Sequence, residues 1–155
     1  MIVVGIDPGT QATGYGVVAA RGPGSYSLLE CGVIRTSSKA PLALRIREIY
    51  EGVCEILDRY QPRTVSVERV FQGKNVHSAL TLGHARGVVL LAAELRDIEL
   101  AEYAPREIKK AVVGFGSAGK DQVAFMVQRM LRLKHPPAPS DAAKRASNTA
   151  SMLKR

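Results

Sequence analysis

Apolar residues run unbroken from Ile2 to Ile6 and stop at Asp7-Pro8-Gly9, the pattern of a buried strand that ends in a turn. Gly14 to Ala20 and Tyr26 to Ile34 read as two further strands. Arg21-Gly22-Pro23-Gly24 between them has the length and composition of a hairpin turn, so the chain opens as an antiparallel meander. From Pro41 the period changes. Leu42, Ile46, Ile49, Val53, Ile56 and Tyr60 follow a 3-4 spacing that makes one apolar helix stripe, ended by Pro62. Thr64 to Val70 is β-branched and apolar around Glu68, a strand again.

Val76 to Leu95 predicts a second long helix with Gly83 and Gly87 in its middle. Each glycine costs a helix about 1 kcal/mol relative to Ala. Small residues four apart permit close approach, so this helix is expected to pack on another helix or on a second subunit. Glu99 to Tyr103 is a short strand, Pro105 sits where a helix begins, and Arg106 to Val113 continues it. After a glycine-rich loop from Gly114 to Gly119, Val123, Met126, Val127, Met130 and Leu131 mark the next helix. The order β-β-β-α-β-α-β-α-α predicts an α/β fold, a five-stranded mixed sheet flanked by helices, as a single domain over residues 1–155. Beyond His135-Pro136-Pro137-Ala138-Pro139, a rigid connector, Ser140 is an N-cap for a last helix from Asp141.

Composition narrows the class of protein. An apolar share of 46% and a charged share of 23% are those of a globular domain. No apolar run reaches the ~18 residues of a membrane span, and the short N-terminal run lacks a signal peptide's basic flank. Cys31 and Cys54, in apolar sequence surroundings, are expected as small buried hydrophobes, with a cytoplasmic location. A net charge of +8 and a pI of 9.8 point to a polyanionic partner. His77, His84 and His135 are scattered without paired cysteines and do not form a zinc spacing.

Three acidic residues stand out from this background. Asp7 ends the first strand, Glu68 lies at or near the end of the fourth, and Asp141 starts the last helix. If the first and fourth strands are neighbours, Asp7 and Glu68 point into one place, and a helix across the sheet can add Asp141. Clustered carboxylates repel unless a hard cation such as Mg²⁺ or Mn²⁺ joins them. Two such ions about 3.5 to 4 Å apart can clamp a phosphodiester and activate water. The plainer reading makes Asp7 a turn residue and Asp141 a first-turn residue of a helix. Glu68 resists it, because it interrupts an apolar strand.

The motifs Gly5-Ile6-Asp7-Pro8-Gly9 with Thr13-Gly14-Tyr15-Gly16, Val67-Glu68-Arg69-Val70-Phe71 and Asn75 through Ser78-Ala79-Leu80 to Gly83-His84-Ala85-Arg86-Gly87 carry a resemblance. So do Lys109 to Gly116 with Lys120, and Pro139-Ser140-Asp141-Ala142-Ala143. Together they resemble RuvC-type Holliday-junction resolvases, from the first residue to about Ala143. The resemblance implies a ribonuclease-H-like nuclease domain and a bacterial endonuclease of recombination and repair. It implies a homodimer that nicks four-way junctions with Mg²⁺ (Mn²⁺ substituting), two ions per subunit, beside a branch-migration motor. By matching position, Asp7, Glu68 and Asp141 are the metal-binding catalytic carboxylates, and Lys109 and Lys120 lie close to DNA phosphates. Phe71, on a loop three residues after Glu68, is expected to stack on a base or wedge into the junction, against a plainer place in the core.

One position departs from the family pattern. After Asp141 and two alanines the family has a second acidic residue, and this chain has Lys144. An ammonium there would repel a cation. The alternative expectation is therefore a junction-binding protein with impaired catalysis. A third class is also open: Asp7-Pro8-Gly9-Thr10 resembles the phosphate turn of actin-like and sugar-kinase domains, although 155 residues are few for that two-domain class.

Overall fold

A computed structural model describes residues 1–22, 24–69 and 76–134. The expected site residues Phe71 and Asp141, together with Lys144 and His135, lie outside the described residues. The chain forms strands β1 (Ile2–Asp7), β2 (Ala12–Gly22) and β3 (Ser25–Arg35), helix α1 (Leu42–Tyr60), β4 (Thr64–Glu68), α2 (Val76–Glu94), β5 (Glu99–Tyr103), α3 (Pro105–Val113) and α4 (Lys120–Met130). The sheet order is β3-β2-β1-β4-β5. Its first three strands are antiparallel, while β1, β4 and β5 run parallel. The meander strands are longer than the sequence pattern suggests, because the ladder continues to Gly22 opposite Ser25.

The two faces of the sheet follow from its period of two. Val4, Ile6, Val17, Val65 and Val67 face one way and pack under Ile49, Val53, Ile56 and Leu57 of α1 and Ala85, Val89, Ala92 and Ala93 of α2. Full burial of each Val, Ile or Leu side chain contributes roughly 1.5–3 kcal/mol, and of each alanine methyl less. Val18 faces the other way and packs with Val112 of α3, Val123 and Val127 of α4, Ala118 and Leu131. β4 is buried along its whole length, as a parallel strand with helices on both faces should be.

α1 ends at Gln61, a left-handed residue at φ 42° whose N–H donates to the Leu57 carbonyl, just before Pro62. Its last turn is tied to the hairpin by Glu30. The Tyr15 and Tyr60 hydroxyls both donate to this carboxylate at 2.5 Å, and Arg59 reaches it at 3.3 Å. The two tyrosine hydrogen bonds hold the Glu30 carboxyl below the usual range. Burial, reinforced by the bond to Glu30, pushes the Tyr15 hydroxyl up to about 12. Gly32 is needed beneath that ring, since a Cβ there would come within 2.5–2.9 Å of Tyr15. Arg96 grips Asp58 with Nε and Nη2 at 2.7 and 2.9 Å and links the ends of α1 and α2.

Two expectations are corrected. Cys31 is exposed and Cys54 half-buried, rather than both buried. Cys31 lies on the edge strand β3, where an apolar local sequence does not guarantee a covering layer. The second correction concerns α2, which at 19 residues is long and apolar enough by length and composition to count as a candidate span. Its glycines and histidines hide this in the sequence. One side of it packs on α1 and β5, but Val76, Leu80 and Leu91 are at least half exposed.

Candidate active site

The hairpin and the crossover through α1 place β4 beside β1 in parallel. Val3 pairs with Thr64, Gly5 with Ser66 and Ile6 with Val67. Asp7 and Glu68 are the next residues along both strands. Opposed residues of neighbouring strands share a face and lie about 4.8 Å apart at Cα. Alternation from Val3 and Gly5 puts Asp7 on the face that α3 and α4 cover, and alternation from Thr64 and Ser66 puts Glu68 there too. Across the row, Asp7 is flanked by Gly14 of β2 and Glu68 by Tyr103 of β5. Gly14 brings no side chain to the space next to Asp7.

Burial distinguishes the two acids. Glu68 is 6% exposed, whereas Asp7 is partly open. Glu68 stands at the end of a strand whose Thr64 and Ser66, on the same face, are also buried. Beyond it, the Arg69 N–H donates to the Tyr103 carbonyl at 2.8 Å and keeps β4 and β5 joined past their last paired residues.

The turn after Asp7 is closed from within. The buried Thr13 hydroxyl donates to the Gly9 carbonyl at 2.7 Å and accepts from the Gly9 N–H at 3.3 Å. A Cβ on Gly9 would lie 2.6 Å from the Ala12 carbonyl oxygen, so only glycine fits. The motif Asp7-Pro8-Gly9-Thr10 is thus a tight turn with a structural reason for its glycine and for the threonine four residues on. The sequence reading missed Thr13 as a support. Its signal is a hydroxyl at the start of a strand, four residues after a turn glycine.

Lys109 is half-buried on α3, one residue after the buried Ile108, and Lys120 is the exposed first residue of α4. α3 begins two residues after Tyr103, the strand partner of Glu68. The loop after α3 doubles back. Gly116 lies so close to the first turn of α3 that a Cβ on it would be 3.2 Å from the Arg106 carbonyl oxygen. Both lysines therefore belong to the helical layer on the carboxylate face. A lysine at a helix N-terminus opposes the helix dipole. Lys120 accepts that position, with Asp121 beside it and Gln122 capping the Gly119 N–H at 2.8 Å.

No group of three or more potential ligands is found among the described residues. The structure assembles two of the three expected carboxylates, and the third, Asp141, is outside the described residues. Two hard anionic oxygen donors on adjacent strand ends, one of them buried, fit part of a hard divalent cation's shell, with water and substrate oxygens to complete it. They do not suit zinc, which would call for histidine or cysteine. His77 and His84 are both exposed on α2.

A five-stranded mixed sheet opened by an antiparallel meander, with helices on both faces and two acids at neighbouring parallel strand ends, has the fold of the ribonuclease-H-like class. Residues 3–148 match the family model of the crossover junction endodeoxyribonuclease RuvC, and the chain belongs to that family. It is 46% identical over 143 residues to the crossover junction endodeoxyribonuclease RuvC of Pelotomaculum thermopropionicum, covering 92% of this chain and 87% of that one. The Thermus thermophilus RuvC structure superposes with a TM-score of 0.92 at 37% identity, over 99% of this chain and 94% of that one. T. thermophilus RuvC in complex with Holliday junction substrate superposes at 0.93 with 38% identity, over 97% and 92%. The chain is therefore a nuclease of a family that acts as Holliday-junction resolvases and requires a divalent metal ion.

Proposed function

We propose that this chain, as a homodimer, resolves four-way DNA junctions by paired symmetric nicks, with Mg²⁺ as its metal and two ions per subunit. The observation that carries this reading is the register of β1 on β4, which brings Asp7 and Glu68 side by side on one face. When bound, divalent cations polarise the phosphodiester and lower the pKa of an attacking water. Asp7 and Glu68 hold and orient that charge, and the burial of Glu68 limits competing water. Asp141, by family position, completes the set. Lys109 and Lys120 anchor the phosphates on the same face and offset charge that grows in the transition state. Phe71, just past Glu68, stacks on a base at the branch point.

The dimer rests on α2. An open groove of about 500 Å³ is lined by Ile46 of α1 and by Leu80, Gly83, Gly87 and Leu91 of α2. Among the described residues, and apart from the helix's own backbone, neither glycine has an atom within 4 Å of where its Cβ would be, so no described residue supplies a packing reason for the pair. A second copy of α2, approaching closely at the glycines, supplies one. Two copies related by a two-fold axis would present two nicking sites to a symmetric junction. We place the enzyme in the bacterial cytoplasm, working beside a branch-migration motor that brings the junction to its preferred sequence.

The test is nicking of a labelled synthetic four-way junction with Mg²⁺, with Mn²⁺ and with chelator, against linear duplex. Metal-dependent, junction-selective, paired nicks are expected. Tight junction binding without nicks would favour the second reading, impaired catalysis through Lys144. Lys144→Asp should then restore cleavage. Equal cleavage of linear duplex would refute the proposal.

A further inference from the structure

The turn that follows Asp7 is held from outside as well as from within. The Thr10 carbonyl, three residues after Asp7, accepts two hydrogen bonds. One comes from the Thr36 hydroxyl at 2.5 Å and one from Arg45 Nε at 3.0 Å. The same Nε lies 3.4 Å from Thr36 Oγ1, and the Thr36 N–H donates to the Gln11 carbonyl at 3.1 Å. A β1–β2 turn is thereby joined to the end of β3 and to the first turn of α1, over separations of 26 and 35 residues.

We infer that Arg45 and Thr36 are positioning residues for the Asp7 carboxylate. This inference rests on the reading of Asp7 as a metal ligand. A short turn that ends on a ligand sets the ligand's height and direction above the sheet. Thr13 closes the Gly9 end of this turn, but the half-buried Thr10 and the exposed Gln11 lie between β1 and β2 and have no ladder of their own. Their carbonyls are satisfied from β3 and α1. A half-buried arginine fixed by Nε to a main-chain carbonyl, rather than to a carboxylate, holds the backbone by a charge-assisted bond. Without it the turn is free to rock, and Asp7 with it. Misplacing a reacting group by about 1 Å can cost roughly 100-fold in rate.

The experiment uses the full chain and two readouts besides cleavage. The first is hydrogen exchange of the amides from Gly9 to Thr13. The second is Mn²⁺ affinity of the DNA-free protein, read from the free-ion electron paramagnetic resonance signal. Arg45→Ala and Thr36→Val should each speed exchange across the turn and weaken Mn²⁺ binding about 10-fold, the scale of losing a group that orients a metal ligand. Thr36→Ser should rescue both, and the double variant Arg45→Ala/Thr36→Val should lose less than the product of the single losses. Unchanged exchange in Arg45→Ala would overturn the clamp itself. Faster exchange with unaltered Mn²⁺ affinity, while Asp7→Asn abolishes binding, would reduce the pair to a structural brace and overturn the inference. If Asp7→Asn leaves Mn²⁺ affinity intact, the metal reading of Asp7 fails and the inference goes with it, even where the exchange data still show a clamp.

Discussion

Glu30→Ala removes the acceptor for two tyrosine hydroxyls that come from different elements, Tyr15 on β2 and Tyr60 at the end of α1. Hydrogen bonds to a charged group contribute about 1.5–3 kcal/mol each. The Glu30 side chain is 27% exposed, so water replaces part of what is lost. A net destabilisation of about 2–4 kcal/mol is expected after that discount. For a chain of this size 1 kcal/mol moves Tm by roughly 2–4 °C, so a fall of about 5–15 °C is predicted at neutral pH. The pH dependence sharpens the test. Glu30 has a depressed folded-state pKa, so its contribution is present above the ordinary value of 4.5 and fades as pH falls through the folded value. Tyr15 has a raised one, so its contribution is whole below pH 10 and fades as pH rises toward about 12. Urea denaturation of parent and Glu30→Ala across that range should show curves that separate at neutral pH, converge as pH falls through the folded value of Glu30, and narrow as pH rises toward about 12, where the part of the Tyr15 shift caused by burial is common to both proteins. A neutral-pH difference under about 0.5 kcal/mol, the scale of an ordinary surface substitution, or a separation that does not depend on pH, would refute the reasoning.

Gly9→Ala, whose Cβ meets the Ala12 carbonyl oxygen at 2.6 Å, should displace the Asp7 turn and lower junction cleavage about 10- to 100-fold in a single-turnover assay. Asp7→Asn and Glu68→Gln should each abolish metal-dependent nicking while the protein still binds junctions in a mobility-shift assay with chelator. Lys109→Ala and Lys120→Ala should weaken junction binding and each reduce the slope of log affinity against log salt by about one charge. Gly83→Ala with Gly87→Ala separates two environments for α2. On a solvent-facing helix the pair should stabilise by up to about 2 kcal/mol. In a close subunit contact it should instead weaken the dimer, read by analytical ultracentrifugation.

Much of this protein is set locally. The unbroken run into Asp7, the 3-4 spacing of α1 and the β-branched stretch around Glu68 each determine an element, because burial on one or both faces demands that periodicity. The two strand-end acids, Asp7 and Glu68, are legible as candidates for a related reason. A charge at the end of an apolar strand conflicts with its surroundings, and that conflict can be seen one segment at a time. What no segment contains is which strands are neighbours and in what register. Glu68 and Asp7 are 61 residues apart in sequence. Only the crossover through α1, which sets Ile6 against Val67, brings two isolated acids to neighbouring strand ends. The same holds for the face of α2 left open by the described residues and for the hold of Arg45 and Thr36 on the Thr10 carbonyl. An arginine and a threonine in ordinary sequence carry no mark of a hydrogen bond made 26 or 35 residues away. Hydrophobic pattern is a property of nearest neighbours along the chain, whereas register and long-range polar bonds are decided only when whole layers pack.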